Sequence, residues 1–169
     1  MTNSIQIPDA EQLLQQLVHQ ILPHVTDHTA LVGIHSGGAW LAQRLHAALG
    51  LKIPLGTLDI SFYRDDFSKI GLHPQVRPSD IPFDVADHDI VLVDDVLHTG
   101  RTVRAAMNEL FDYGRPASIR LAVLVDRGGR ELPICPDFVG ASLGLKQNQN
   151  LQLNQGADGK FDLSLFTAD

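Results

Sequence analysis

Two adjacent aspartates at the end of an apolar run are the residues best placed to do chemistry in this chain. Asp94 and Asp95 follow the β-branched and aliphatic run from Ile90 to Val93, which is typical of a strand buried on both faces. A carboxylate pair repels phosphate, but it suits ribose hydroxyls or a Mg²⁺ ion that a polyphosphate carries. The sequence therefore predicts a sugar or metal contact at the carboxyl end of this strand.

A loop rich in hydroxyl groups and glycine follows directly, and a helical pattern begins near Arg101. The loop runs Val96-Leu97-His98-Thr99-Gly100-Arg101-Thr102, and the helix has an apolar stripe of Val103, Ala106, Met107 and Leu110. A helix amino terminus presents unpaired N–H groups and the positive end of a dipole, which suit a phosphate. Gly100 lets the backbone approach a ligand closely. With the aspartates beside it, this loop predicts a site for a ribose 5-phosphate.

A second strand–loop–helix unit lies earlier in the chain. A short apolar strand at 30–34 leads into His35-Ser36-Gly37-Gly38, and a helix is predicted over 39–49. Such a loop can form a nest of backbone N–H groups for a second anion, for which pyrophosphate is the candidate. The alternative is an ordinary glycine turn before a helix.

The remaining elements alternate between helix and strand. We predict a helix over 9–22, a strand within 51–60, a buried strand over 118–125, a short edge strand over 138–141 and a terminal hairpin around Leu151–Leu153 and Phe161–Leu165. In open parallel sheets ligands bind at the carboxyl ends of strands, so the loop that begins at Asp126 is placed to complete the same site. The polar segment 61–80 is interpreted as a hinged arm that closes over the site, with a solvated charged arm as the alternative.

Composition limits the class of protein. The 169 residues predict one domain over 1–169, and the net charge of −7 argues against wholesale nucleic-acid binding but leaves room for a local basic patch. The single cysteine, Cys135, excludes an intrachain disulfide and fits a reducing cytoplasm. The first residues carry no signal-peptide pattern, and no apolar run approaches a membrane span. A cytoplasmic location is the expectation.

The motifs together resemble a known family. Residues 89–102 are similar to the phosphoribosyl-pyrophosphate (PRPP) motif of type I phosphoribosyltransferases. Most of the chain resembles the pyrimidine operon attenuation regulators within that family, through the segments 63–66, 80–84, 89–104, 114–117 and 121–128. The resemblance implies an α/β fold with a central, mostly parallel sheet flanked by helices, a flexible hairpin arm at 61–80, a small hood and a C-terminal hairpin within 140–169.

The resemblance also implies two activities. One is uracil phosphoribosyltransferase activity, in which uracil and PRPP give UMP and pyrophosphate with Mg²⁺ as the cofactor. The other is regulation of pyrimidine biosynthesis genes through binding of a pyr leader RNA in the presence of UMP or UTP. Members of the family form homodimers or homotetramers. A purine or orotate transferase is the less favoured reading, because the similarity outside the PRPP motif is to the pyrimidine regulators.

Site roles carry over from the resemblance residue by residue. Asp94 and Asp95 would face the ribose and the PRPP-bound Mg²⁺, and Arg64 on the arm would reach the pyrophosphate. The 5-phosphate would be held by the loop of Val96, Leu97, His98, Thr99, Gly100, Arg101 and Thr102. The pyrophosphate would be held by His35, Ser36, Gly37 and Gly38, and the base would lie near Val125, Asp126 and Arg127.

The chain departs from the family pattern in this pyrophosphate loop. The family usually has Thr-Arg-Gly where this chain has Ser36-Gly37-Gly38. A missing arginine removes positive charge opposite the leaving group, a loss of a few kcal/mol on the scale of one oxyanion donor. The alternative function is therefore a catalytically weak regulator that senses UMP or UTP. His98 stands where tyrosine is common, and Gly129 stands where histidine is common.

Overall fold

The structure is a computed structural model that describes residues 4–60 and 79–168. The helices are α1 (Ala10–Ile21), α2 (Gly37–Leu49) and α3 (Arg101–Asp112), and a short 3-10 turn at Leu22–His24 follows α1. The strands are β1 (Thr29–Ile34), β2 (Gly56–Leu58), β3 (Asp89–Leu97), β4 (Ser118–Asp126), β5 (Phe138–Ser142), β6 (Gln149–Gln155) and β7 (Phe161–Thr167). Within these ranges no helix is long and apolar enough to cross a membrane.

Five strands form one sheet in the order β2-β1-β3-β4-β5, and every pairing between neighbours is parallel. The central strand β3 has its apolar run, Ile90–Val93, buried on both faces. A strand in that position reads as a continuous apolar run because helices cover both sides of the sheet. The predicted parallel sheet flanked by helices is confirmed.

Alternate residues of the strands face two separate cores. One core lies between the sheet, α1, α2 and the hairpin of β6 and β7, and it includes Leu17, Leu45 and Leu153. The other lies between the sheet and α3, and it includes Leu92 and Leu110. The apolar stripe predicted for α3 accounts for this second core. Each fully buried leucine contributes about 1.5–3 kcal/mol relative to an exposed one, so both cores hold the sheet from its two sides.

Most element boundaries agree with the prediction to within one residue, and two larger differences affect candidate functional segments. β3 continues through the acidic pair to Leu97, because its pairing with β4 persists at Val96↔Val125 and Leu97↔Asp126. α2 begins at Gly37 rather than Ala39, because the N–H groups of Ala39 and Trp40 both reach the carbonyl of Ser36 at 3.1 and 3.2 Å. Asp94 and Asp95 therefore lie inside a strand, and the two glycines lie inside a helix.

The C-terminal hairpin packs on α1 and α2 through one polar cluster. Arg44 on α2 donates to both oxygens of Glu11 at 2.8 and 3.0 Å and to the carbonyl of Gly159 at 3.1 Å. Glu11 in turn accepts the N–H of Phe161 at 2.7 Å, and the Arg44 guanidinium lies 4.9 Å from the centre of the Phe161 ring. The hairpin begins at Gln149, and residues 140–142, at the start of the predicted segment 140–169, belong instead to β5 of the main sheet.

Candidate functional site

Three loops meet at the carboxyl edge of the parallel sheet. β1 leads into His35 and Ser36, β3 into His98–Gly100, and β4 into the loop that begins at Arg127. These strands are neighbours, with Gly33 paired to Val93 and Leu97 paired to Asp126. The two glycine-containing loops and the loop after β4, which were predicted from separate parts of the sequence, thus share one edge.

The acidic pair is held by its own backbone. Asp94 is 5% exposed, and its Oδ1 accepts the N–H of Asp95 at 2.9 Å. The Oδ1 of Asp95 accepts the N–H of Val96 at 2.8 Å. Bonds to main-chain N–H groups restrict the rotation of a carboxylate. Both carboxylates are therefore held in place near the carboxyl end of β3.

The start of α2 lies directly against this pair. A Cβ added at Gly37 would fall 2.2 Å from Oδ2 of Asp95, and one added at Gly38 would fall 2.6 Å from the carbonyl oxygen of Val93. The His35–Ser36 peptide bond is cis, and the N–H of His35 donates to the carbonyl of Leu58 at 2.9 Å. A side chain at Gly38 would thus meet the backbone of β3, and one at Gly37 would displace the carboxylate of Asp95, so the predicted pyrophosphate loop lies against the acidic pair.

The predicted 5-phosphate loop turns through a glycine with positive φ. Gly100 has φ of 93° and is the N-cap of α3, and the N–H of Arg101 donates to Oγ1 of Thr99 at 3.2 Å. A Cβ on Gly100 would also fall 2.9 Å from Cγ1 of Ile134. Left-handed backbone and close approach together demand glycine here. The result is a helix that begins at Arg101 after a glycine N-cap, and helix amino termini suit phosphate.

A segment that follows β4 lies over the 5-phosphate loop, and we name residues 127–134 the strap. Arg130 in the strap donates to both carboxylate oxygens of Asp126 at 2.7 and 3.0 Å and to the carbonyl of His98 at 2.8 Å. Burial raises the pKa of Asp126, but the hydrogen bonds from Arg130 and from the N–H of Gly128, with the charge of Arg130, outweigh it and leave the pKa lowered. The ion pair is therefore fixed at neutral pH.

Two of the predicted base-binding residues, Asp126 and Arg127, have side chains that bind other parts of the protein. The carboxylate of Asp126 is engaged by Arg130 and by the N–H of Gly128 at 3.0 Å. The guanidinium of Arg127, which is 5% exposed, donates to Oδ1 of Asn150 at 3.1 Å and to the carbonyl of Lys146 at 3.2 Å. These two side chains thus brace the loop and the hairpin.

Sequence reasoning placed Arg64 in the site and did not single out Arg130. Arg64 lies outside the described residues. The sequence does contain a hint of the role of Arg130, because Arg130 stands four residues after Asp126 and has the opposite charge. In a loop, unlike in a helix, that spacing does not predict an ion pair. The ring of His98 lies against the strap, where its Nδ1 donates to the carbonyl of Gly128 at 2.9 Å and a Cβ on Gly129 would fall 2.7 Å from its Cε1.

The described residues contain no group of three or more His, Cys, Asp or Glu side chains that could hold a metal ion by themselves. Asp94 and Asp95 offer carboxylate oxygens, which are the ligands that Mg²⁺ prefers. Mg²⁺ usually keeps several waters and binds through one or two carboxylates plus substrate phosphates. The donor set therefore fits an ion that arrives with a polyphosphate.

Comparison with known proteins places these features in a family. The model described as "Phosphoribosyl transferase domain" matches residues 2–147. The "Bifunctional protein PyrR" of Pseudomonas paraeruginosa is 52% identical over 151 residues, which cover 87% of this chain and 89% of that protein. The protein of the same name from Nitrosococcus oceani is 61% identical over 126 residues, which cover 73% of this chain and 71% of that protein.

Solved structures share the fold. A purine phosphoribosyltransferase from Pyrococcus horikoshii superposes with a TM-score of 0.60 at 26% identity, covering 79% of this chain and 81% of that one. A hypoxanthine phosphoribosyltransferase from Staphylococcus aureus superposes with a TM-score of 0.64 at 18% identity, covering 85% and 80%. The second likeness concerns the fold alone.

Proposed function

The chain belongs to the phosphoribosyltransferase family and has its type I fold, and from that premise we propose that it transfers the phosphoribosyl group of PRPP to uracil. The observation that carries the proposal is the meeting of an acidic pair with two helix amino termini at one sheet edge. Such an edge offers separate places for a ribose, a 5-phosphate and a diphosphate.

In the proposed reaction the bond between C1 of the ribose and the pyrophosphate oxygen breaks, and a bond from C1 to N1 of uracil forms. The N1 proton passes to solvent or to the departing pyrophosphate, so that UMP and pyrophosphate are the products. Asp94 and Asp95 hold the ribose hydroxyls and stand near the positive charge that develops at C1. The two aspartates would also hold a Mg²⁺ ion that supplies positive charge to the diphosphate. The N–H groups at the start of α3 hold the 5-phosphate, so the chain contributes mainly positioning.

The loop at 35–38 would bind pyrophosphate without the arginine that is common in the family. α2 is a helix of thirteen residues that begins at Gly37, so the first-turn N–H groups and the helix dipole face the acidic edge. Such a terminus stabilises a nearby anion by about 0.3–2 kcal/mol, which is less than an arginine supplies. We propose slow but measurable turnover for this reason.

The direct test is uracil-dependent release of pyrophosphate from PRPP with Mg²⁺. Hypoxanthine and orotate, assayed at the same concentration, report whether the base site is specific for uracil. Turnover with uracil at least tenfold above either other base is expected. Release that does not depend on any base, or that depends on hypoxanthine alone, would contradict the proposal.

A second function is favoured by the curated relatives, whose name includes the word bifunctional. We propose that the chain also regulates pyrimidine genes by binding a pyr leader RNA when UMP or UTP is bound. Arg104, Arg115 and Arg120 are exposed and could contact RNA phosphates, against a net charge of −7. Filter binding of the leader RNA at low salt, with and without UMP, tests this, because phosphate contacts are strongest there. A catalytically weak regulator would bind the RNA but release no pyrophosphate.

Assembly is part of the same proposal. We propose a homodimer or homotetramer, as the resemblance implies. Sedimentation equilibrium across a hundredfold range of protein concentration, with and without UMP, distinguishes the two states. A species of monomer mass over the whole range would rule out both.

A further inference from the structure

The strap contacts the 5-phosphate loop residue by residue. The N–H groups of Glu131 and Leu132 both donate to the carbonyl of Thr99, at 2.9 and 3.1 Å. Ile134 and Leu132 lie over Gly100, and Glu131 pairs with the exposed side chain of Arg101 at 2.7 Å. Together with the contacts of His98, these bonds hold each residue from 98 to 101 from one side.

Arg130 is the centre of this arrangement. Its guanidinium bonds to Asp126 and to the carbonyl of His98, and its Nε donates to the carbonyl of Ile134 at 2.7 Å. These acceptors belong to the end of β4, the start of the 5-phosphate loop and the far end of the strap. One planar cation therefore fixes three main-chain segments, which a lysine with its single nitrogen would not reproduce.

A loop that binds phosphate with its main chain works best when its N–H groups are already ordered, because ordering on binding costs conformational entropy. The loop here has a left-handed glycine and a side-chain bond of its own, from the N–H of Arg101 to Oγ1 of Thr99. The strap adds support from 32 residues further along the chain, through the bond from Arg130 to the carbonyl of His98.

We propose that Arg130 is a positioning residue for the 5-phosphate, one that orders the main chain of residues 98–101 through the strap without touching the ligand. This inference rests on the proposed function, which assigns the 5-phosphate to that loop. It predicts that loss of Arg130 weakens ligands that carry a 5-phosphate and leaves a ligand of the other loop unchanged.

The test compares two probes in Arg130→Gln and in the wild type by calorimetry. UMP uses the 5-phosphate loop, and inorganic pyrophosphate with Mg²⁺ uses the loop at 35–38. The dissociation constant of UMP should rise at least tenfold in the variant, and that of pyrophosphate should stay within twofold. Arg130→Lys should fall between the variant and the wild type, and it serves as the second variant if Arg130→Gln does not fold.

Arg44→Gln is the matched control, because it also breaks a bidentate arginine–carboxylate pair but lies at the hairpin. It should leave both dissociation constants within twofold. An equal loss of UMP and pyrophosphate binding in Arg130→Gln, or an unchanged affinity for UMP, would overturn the inference.

Hydrogen exchange without ligand separates this inference from the proposed function. Amides of residues 98–102 should exchange at least tenfold faster in Arg130→Gln than in the wild type, while those of α1 stay unchanged. A wild type that binds no UMP would defeat the proposed function, whereas unchanged exchange in the variant would defeat the positioning role.

Discussion

At the scale of single residues, the position of the Asp95 carboxylate depends on the lack of a side chain at Gly37. Gly37 leaves the space that Oδ2 of Asp95 occupies, since a Cβ there would lie 2.2 Å from that oxygen. The backbone at Gly37 is helical, so alanine would be favoured there by propensity alone. Alanine at this position would suit the helix but would collide with the carboxylate of Asp95. A substitution at Gly37 therefore tests whether the position of that carboxylate matters for activity.

Gly37→Ala should therefore move Asp95 and lower kcat/KM for PRPP by roughly tenfold or more, about 1.4 kcal/mol of transition-state stabilisation. Steady-state pyrophosphate release measures it. Gly144→Ala is the control, because within the described ranges no atom beyond its two chain neighbours lies within 4 Å of an added Cβ there, and its kinetics should match those of the wild type. Equal activity of the two variants would show that Asp95 adjusts without consequence.

At the scale of elements, the hairpin is fixed by a charge pair whose pKa shifts set its pH response. The hydrogen bond from Arg44 is the largest cause of the lowered pKa of Glu11, assisted by the N–H of Phe161 and opposed by burial. A carboxylate with a lowered folded pKa stabilises the fold above its unfolded pKa, and that stability is lost as pH falls through the folded pKa. The relevant window lies below about pH 4.3.

Glu11→Gln should lower the free energy of unfolding at pH 7 by about 1 kcal/mol, a value kept small because both side chains are about a third exposed. The difference from the wild type should shrink as the pH is lowered below about 4, since the wild-type carboxyl then protonates. Urea unfolding at pH 7 and at pH 3 measures both values. A gap that grows at pH 3 would contradict the assignment.

The elements also show what could be predicted from sequence. The strand, loop and helix over 89–112 were predictable because each depends on a local pattern: an apolar run, a glycine and a helical stripe. The end of β3 was not, because Val96 and Leu97 stay in the strand only through pairing with β4. The orientation of the Arg127 side chain toward the hairpin was not predictable either, because the acceptors Lys146 and Asn150 lie 19 and 23 residues further along the chain.

At the scale of the whole molecule, ligand binding should stabilise the fold, because the site is built from segments far apart in sequence. Binding to the native state alone adds about 2.7 kcal/mol when the ligand is present at a hundred times its dissociation constant. For a chain of 169 residues, each kcal/mol shifts Tm by about 2–4 °C.

PRPP with Mg²⁺ at that concentration should therefore raise Tm by roughly 5–10 °C. Asp94→Asn should lose most of the shift, because the proposed ribose and metal contacts share that carboxylate. Asp27→Asn is the control, since Asp27 forms an exposed pair with Lys52, and it should keep the full shift. Differential scanning calorimetry measures all three proteins, and an undiminished shift in Asp94→Asn would remove that residue from the site.

The hairpin joins the rest of the molecule by covalent chain only through residues 143–148, yet Leu151, Leu153, Phe161 and Leu163 lie in the shared core. Its attachment is therefore mostly non-covalent, through that core and through Arg44 and Arg127. If the chain is divided within residues 143–148, the two resulting polypeptides should associate non-covalently when mixed. Co-expression of the two fragments would then give a complementation assay. In it, recovered binding of UMP reports that the short C-terminal fragment has associated with the long one.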